Sequence, residues 1–133
     1  MFVERFLVAQ KGRKLRRAPL LLQLIASVVI YGIAIPMVLT HLSFFLYQEI
    51  YFGIYGIPKI RFRDYMTFDH GILKNLNIVQ RLNCVYCAYA NAFAAWLKAI
   101  VNQTEVYSCA IKSHTQKLGQ EHQKEFYEYK DFT

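Results

Sequence analysis

Three cysteines and one histidine carry the most distinctive chemistry in this sequence. Cys84 and Cys87 form a Cys-x2-Cys pair, and Cys109 and His114 form a Cys-x4-His pair. Three thiolates and one imidazole are a ligand set that tetrahedral zinc or an iron-sulfur cluster accepts. Because four protein ligands leave no open coordination position, the pattern predicts a structural zinc or iron-sulfur site rather than a catalytic one.

Such a site requires the chain to fold back on itself. The segment 83–101 is rich in good helix formers and predicts a helix with Cys84 and Cys87 near its start. That helix leads away from Cys87 by roughly 20 Å, and the extended chain up to Cys109 can return by about 30 Å. We expect the reversal at residues 102–104, where Asn-Gln-Thr is a plausible turn sequence.

Two other interpretations of the cysteines stay open. At a helix amino terminus the dipole activates a thiol, so Cys84 and Cys87 could form a dithiol-disulfide pair with Cys109 as a resolving or intermolecular thiol. Cysteines also pack as small apolar side chains without any chemistry. An oxidising compartment favours the disulfide and a reducing one favours the metal, so the side of the membrane decides between them.

The same region resembles a group of small uncharacterised bacterial inner-membrane proteins with a CxxC…C(x4)H pattern. The stretches 55–59, 82–91 and 103–114 are similar to that group, and the resemblance extends over residues 47–114. It implies a bacterial inner-membrane location and brings no established activity with it. The group has glycine, arginine, tryptophan and proline where this chain has Ala92, Gln103, Ser108 and Ala110.

A long apolar run precedes the cysteines and predicts a membrane span. Residues 19–47 contain no Asp, Glu, Lys or Arg and follow a basic stretch at 11–17. A hydrocarbon core about 30 Å thick needs roughly 20 helical residues, so the run is long enough. It is also about twice as long as the apolar part of a secretory signal, which argues against cleavage. Pro36 predicts a kink, and His41 predicts a helix-packing or interfacial residue.

Composition and charge fit one span with an aromatic head. The chain is 55% hydrophobic and 16% aromatic, yet its mean hydropathy is only +0.16, so most of the remainder does not face lipid. Much of the net charge of +7 flanks the apolar run, which disfavours nucleic acid as a partner. Six basic residues before the run against three within about 16 residues after it predict a cytoplasmic amino terminus.

These observations predict an all-α membrane protein with one long amino-terminal transmembrane helix and a compact cysteine-bearing helical head. The expected units are a basic segment at 1–18, the transmembrane helix at 19–47, the head at 48–115 and a polar, solvated or disordered tail at 116–133. The second helix, 83–101, is expected to be interfacial or membrane-packed. A face of small side chains should meet the first span there, made of Ala88, Ala92, Ala95 and Ala99.

The functional expectation is a small membrane-anchored metal-binding protein with a structural or assembly role in a membrane complex. One alternative is a membrane-tethered thiol-disulfide redox protein that uses Cys84 and Cys87. Another is a non-catalytic interaction subunit of a larger membrane complex. The expected partners are the lipid bilayer and a protein partner or a second copy of the chain. Phosphate-binding glycine loops and the signatures of serine or zinc hydrolases do not occur in the sequence, so hydrolase and nucleotide-binding functions are not expected. A non-catalytic role is favoured over an enzymatic one, and the thiol-disulfide alternative keeps the question open.

Overall fold

Two long helices dominate the structure, which is a computed structural model. They are α1, Leu20–Tyr55, and α2, Ile78–Ser108, and both are long and apolar enough to cross a membrane. The structure describes residues 12, 16, 18–66 and 78–133. Within those residues there is no β-strand, and the helical class predicted from the sequence is confirmed. Short 3-10 turns lie at Phe62–Asp64, Glu121–Glu125 and Tyr129–Phe132.

The first half of α1 is irregular where the sequence predicts a kink. Regular α-helix covers Leu20–Gly32 and Ala34–Tyr47, with Ile33 between them. Proline has no backbone N–H, so Pro36 leaves the carbonyl four residues before it without its usual helical partner. Ile33 nevertheless keeps helical angles, with φ −65° and ψ −23°, so α1 continues through this point.

The second half of α1 winds into a π-helical turn at Gln48–Phe52 and ends at Tyr55. The turn carries two buried side chains, because Gln48 is 3% exposed and Phe52 is fully buried. Gly56 follows with φ +66°, a left-handed conformation that glycine adopts without steric cost. The predicted span ends at residue 47, whereas the helix continues for two further turns.

The two helices lie side by side and point in the same direction. Early residues of α1 contact early residues of α2, and late residues contact late ones. Hydrogen bonds from side chains of α2 to residues of α1 follow this order: Tyr86 with the Ile30 carbonyl (2.6 Å), Tyr89 with His41 (2.7 Å), Thr104 with Tyr47 (2.9 Å) and Ser108 with Tyr51 (2.8 Å). Two consecutive spans joined on one side of a membrane would instead run antiparallel.

Aromatic rings fill the interface between the helices. His41 of α1 packs against Trp96 and Phe93 of α2, with ring centroids 4.7 Å and 5.7 Å away. The prediction that His41 is a helix-packing residue is confirmed. The predicted alanine face is wrong in part, because Ala95 is exposed and only Ala92 of that face is fully buried. Large rings fill the space between the helices, so close backbone approach is not what holds them together.

The chain after α1 turns back along the helix pair. The N–H of Ile57 bonds to the Phe52 carbonyl at 2.9 Å, and five residues later Phe62 packs against His41 at 4.6 Å. The segment thus runs from the end of α1 towards its middle. Apolar and basic residues alternate in this segment, and its Ile60 and Phe62 pack against the helices. Its exposed basic side chains are Lys59, Arg61 and Arg63.

One residue of this returning segment is held by both helices. The side-chain amide of Gln48 accepts a hydrogen bond from the Ile60 N–H at 2.7 Å and donates one to the Ile60 carbonyl at 3.1 Å. Trp96 donates from its indole Nε1 to the same carbonyl at 3.0 Å. We call this group the Ile60 clamp. The clamp provides hydrogen-bond partners for the buried amide of Gln48 and for the main chain of Ile60. It also joins α1, the returning segment and α2.

The carboxy-terminal residues are mostly exposed, but two of them are buried where the tail meets the end of α2. Gln123 and Phe126 are buried, at 3% and 9% exposure. An isolated parallel bridge joins Ile111 to Tyr127. The mixed charge of this tail suggested disorder, but two buried side chains and a short main-chain bridge are enough to order it.

We predict that Gln48→Ala lowers the free energy of unfolding by about 1–3 kcal/mol, because the Ile60 N–H loses its partner in a half-buried site. The measurement is SDS titration of the purified protein in mixed micelles, followed by the fluorescence of the single tryptophan, Trp96. Gln103→Ala is the matched control, since Gln103 donates to the exposed Pro58 carbonyl at 3.3 Å. Its effect should stay within about 0.5 kcal/mol. Equal losses in the two variants would contradict the role of the clamp.

Candidate functional site

The four residues predicted to bind a metal lie at opposite ends of α2. Cys84 and Cys87 are on neighbouring turns near its start, and Cys109 follows its last residue. The helix does not reverse at residues 102–104. The 22 positions from Cys87 to Cys109 therefore span about 33 Å at 1.5 Å per residue. The structure brings the first two cysteines together and keeps Cys109 far from both.

The helix continues through the predicted turn because α1 provides partners there. Thr104 donates to the Ile100 carbonyl one turn before it and lies within hydrogen-bond distance of Tyr47 on α1. At the end of α2, Ser108 makes the same kind of contact with Tyr51. These tertiary hydrogen bonds outweigh the weak local preference for a turn.

His114 does not lie in a ligand cluster either. Its ring packs edge-on against Tyr129, with centroids 5.0 Å apart. In the part of the chain that the structure describes, no group of three or more His, Cys, Asp or Glu residues is arranged to hold a metal ion. The site formed by Cys84, Cys87, Cys109 and His114 stays a prediction. A single chain with α2 intact cannot bring these four residues together.

The thiol-disulfide interpretation loses one of its premises. It placed Cys84 at a helix amino terminus, but α2 begins at Ile78, six residues earlier. The influence of a helix dipole is concentrated in the first turn, so it is weak at the position of Cys84. Cys84 is half-buried and Cys87 is exposed, and both are free thiols.

The amino-terminal parts of α1 and α2 enclose an apolar groove of about 580 Å³, and Cys87 lines it. Cys109 borders a separate depression of about 390 Å³ beside Tyr47, near the other end of the pair. The groove is the candidate site that the helix packing builds. Its lining residues from α1 include Leu20, Leu24 and Ile30, and those from α2 include Val79, Leu82 and Tyr86.

Two polar side chains of α1 in the groove are bonded to the backbone. Gln23 donates from Nε2 to the Ala18 carbonyl at 2.8 Å. Ser27 donates to the Gln23 carbonyl one turn before it at 2.9 Å. Their hydrogen-bonding groups are thus used within the helix, and the groove presents mainly hydrocarbon on this side.

Two tyrosines link the helices where the groove ends. Tyr86 of α2 donates to the Ile30 carbonyl, and Tyr31 of α1 donates to the Asn83 side chain. Their rings lie 5.1 Å apart between centroids. The sequence analysis did not identify this site. A signal existed, because Gln23, Ser27 and Tyr31 recur every four residues on one face of an otherwise apolar run.

A polar cluster ties the tail to the far end of α2. The Glu105 carboxylate accepts a hydrogen bond from Gln123 Nε2 at 2.6 Å and lies 3.3 Å from His122 Nε2. Nearby, a hydrogen bond from Lys112 Nζ at 2.7 Å lowers the pKa of Glu128 below its usual value. That contribution to tail docking is complete above the ordinary carboxylate pKa and is lost as the pH falls through the lowered one.

No family model, no curated protein and no solved structure matches this chain. The resemblance to bacterial inner-membrane proteins therefore stays a prediction, and the assignment of function rests on geometry and chemistry.

We predict that oxidation with copper phenanthroline produces no intramolecular disulfide between Cys87 and Cys109 in a Cys84→Ser variant. A disulfide needs Cα atoms roughly 4–7 Å apart, and an intact α2 separates these two by about 33 Å. Peptide mass spectrometry of the oxidised monomer is the measurement. As a positive control, a flexible bismaleimide should link Tyr51→Cys to Ser108→Cys, because the Tyr51 and Ser108 hydroxyls are in contact and the missing ring leaves a gap that a direct disulfide cannot bridge. An intramolecular bond from Cys87 to Cys109 would show that α2 bends, and would restore the metal site.

Proposed function

We propose that this protein is a membrane-anchored, non-catalytic interaction subunit. The supporting observation is the parallel packing of two apolar helices within one short chain. The amino-terminal part of α1 contributes no buried side chain to the structure. Val28, for example, is 73% exposed. A continuous apolar surface of this kind is typical of a helix that faces lipid or another protein.

The position of the membrane follows from the length of the apolar part of α1. Residues 20–40 extend over about 31 Å, which equals the thickness of the hydrocarbon core. With these residues in the bilayer, His41 lies at the interface and the rest of α1 projects into the aqueous phase. The Ile60 clamp then sits just outside the lipid. The cytoplasmic amino terminus and the bacterial inner membrane belong to this proposal.

The parallel direction of the helices favours a protein partner. Phe62 is level with His41 at the interface, whereas Val79 lines the groove beside Leu20, at the opposite side of the bilayer. The chain must return between these levels, and residues 67–77 contain Asp69 and other polar residues. Polar and charged side chains at membrane depth face protein or water and not lipid. A partner protein or a second copy of the chain would provide that cover.

We predict that, in native membranes, a membrane-impermeant maleimide labels Ile54→Cys and does not label Val28→Cys. Both are made in a background with all three natural cysteines changed to serine. The two side chains are equally exposed in the isolated chain, at 72% and 73%, so only a bilayer distinguishes them. Labelling intact cells from outside tests the proposed orientation at the same time. Equal labelling of both variants in membranes would contradict the anchor.

We predict that native mass spectrometry of the protein, extracted in mild detergent, shows the 15.6 kDa chain bound to a second polypeptide. The physical reason is that polar side chains such as Asp69, in the stretch that joins the two levels, need cover from lipid. A monomer that keeps its helical content and its unfolding midpoint in lipid nanodiscs would contradict the interaction role, even if the anchor is confirmed.

A further inference from the structure

The groove between α1 and α2 has the chemistry of a hydrocarbon-binding site. Leu24 and Ile30 of α1 and Leu82 of α2 line it. Several of the polar side chains beside them are hydrogen-bonded within the protein, as described above. A cavity lined in this way offers little to water and accepts apolar ligands. Its volume of about 580 Å³ lies within the range of ordinary small-molecule sites.

The length of the groove matches one leaflet of a bilayer. It extends from Leu20, at the membrane boundary in the proposed placement, to the Tyr31–Tyr86 pair. Residues 20–31 of a helix measure about 17 Å, and half of a hydrocarbon core is about 15 Å. The two tyrosine rings therefore close the groove near the bilayer midplane.

The width of the groove suits one hydrocarbon chain better than a helix. About 580 Å³ divided by about 17 Å of helix length gives a mean cross-section of about 34 Å². An α-helix with its side chains is about 10–12 Å in diameter and needs more than twice this area. A partner helix would therefore have to push α1 and α2 apart.

An exposed arginine precedes the open end of the groove in the chain. Arg16 is exposed four residues before Leu20, and the segment 11–17 holds five basic residues. Each basic residue at a bilayer surface attracts anionic lipid by about 1 kcal/mol. Phosphate groups of the same leaflet lie at this level.

We propose that the groove binds one acyl chain of an anionic phospholipid, whose phosphate lies beside the exposed Arg16. The inference rests on the proposed membrane anchor. It adds which leaflet and which class of lipid the protein contacts. Bound lipid would fill the space that the two helices leave between them and would hold α2 at membrane depth.

The test uses the full chain in nanodiscs of phosphatidylcholine and phosphatidylglycerol, the latter with a photoreactive diazirine in one acyl chain. After illumination, mass spectrometry maps the crosslinked residues. Crosslinks on the α2 side of the groove, at Val79, Leu82 and Tyr86, are compared between variants. Only the part that a groove-filling substitution removes is diagnostic, because Val79 and Leu82 are also exposed to bulk lipid.

The groove-filling variant is Ala26→Trp, since Ala26 lines the groove. It should reduce the α2 crosslinks about tenfold, equivalent to about 1.4 kcal/mol of lost affinity. Ala95→Trp is the matched control, because Ala95 is an exposed alanine outside the groove. Arg16→Gln should lower the preference for phosphatidylglycerol over phosphatidylcholine about fivefold, as expected for about 1 kcal/mol per charge.

Equal α2 crosslinking in the two tryptophan variants would overturn the proposal. A disulfide between the Cys87 residues of two chains would also overturn it, because a second copy would then occupy the groove. The anchor is tested separately: if Val28→Cys is protected from maleimide but the α2 crosslinks are absent, the lipid site fails and the membrane anchor does not.

Discussion

The main chain of Ile60 forms hydrogen bonds with side chains of both long helices. Gln48 reaches it from the π-helical turn of α1, and Trp96 reaches it from α2. An amide buried at 3% exposure cannot be left unpaired without a cost of about 1–3 kcal/mol, so Gln48 and the returning segment require each other. This contact fixes the segment against the helices, and it follows that the chain comes back along α1 before α2 begins.

The parallel direction of the helices has two consequences for function. It places the early cysteines beside the apolar half of α1 and Cys109 beside the projecting half, so the two ends of α2 lie in different surroundings. It also leaves a groove at the amino-terminal end, where no returning segment among the described residues fills the space between the helices. The chemistry of this groove is apolar, and the exposed Arg16 precedes its open end in the chain. An anchored interaction subunit with a lipid-filled groove accounts for both features.

The sequence predicted those parts of the structure that depend on local pattern. The charge-free run identified α1 but placed its end at residue 47, before the observed end at Tyr55. The helix-forming composition of residues 83–101 identified the middle of α2. His41 was recognised as a packing residue because no carboxylate lies near it in sequence. The helical class needed no more than hydrophobic periodicity and length.

The remaining features depend on contacts between residues about 50 positions apart, which local pattern does not contain. Asn102 to Thr104 has the composition of a turn, yet Tyr47 supplies a partner to Thr104 and the helix continues. The cysteine spacing suggested one site because the reversal was assumed. The groove was not predicted, because Tyr31 and Tyr86 lie next to each other only when the two helices are parallel.

The most direct test of the parallel arrangement is a pair of distances measured by double electron-electron resonance in nanodiscs, with spin labels on cysteines introduced into a cysteine-free chain. Labels at Ile54 and Val106, both exposed, should give the short distance, since neighbouring helices pack about 8–10 Å apart. Labels at Ile54 and Ile78 should be separated by about 40 Å or more, nearly the length of α2. The reverse order, with Ile54 close to Ile78 and far from Val106, would mean an antiparallel hairpin and would contradict the account.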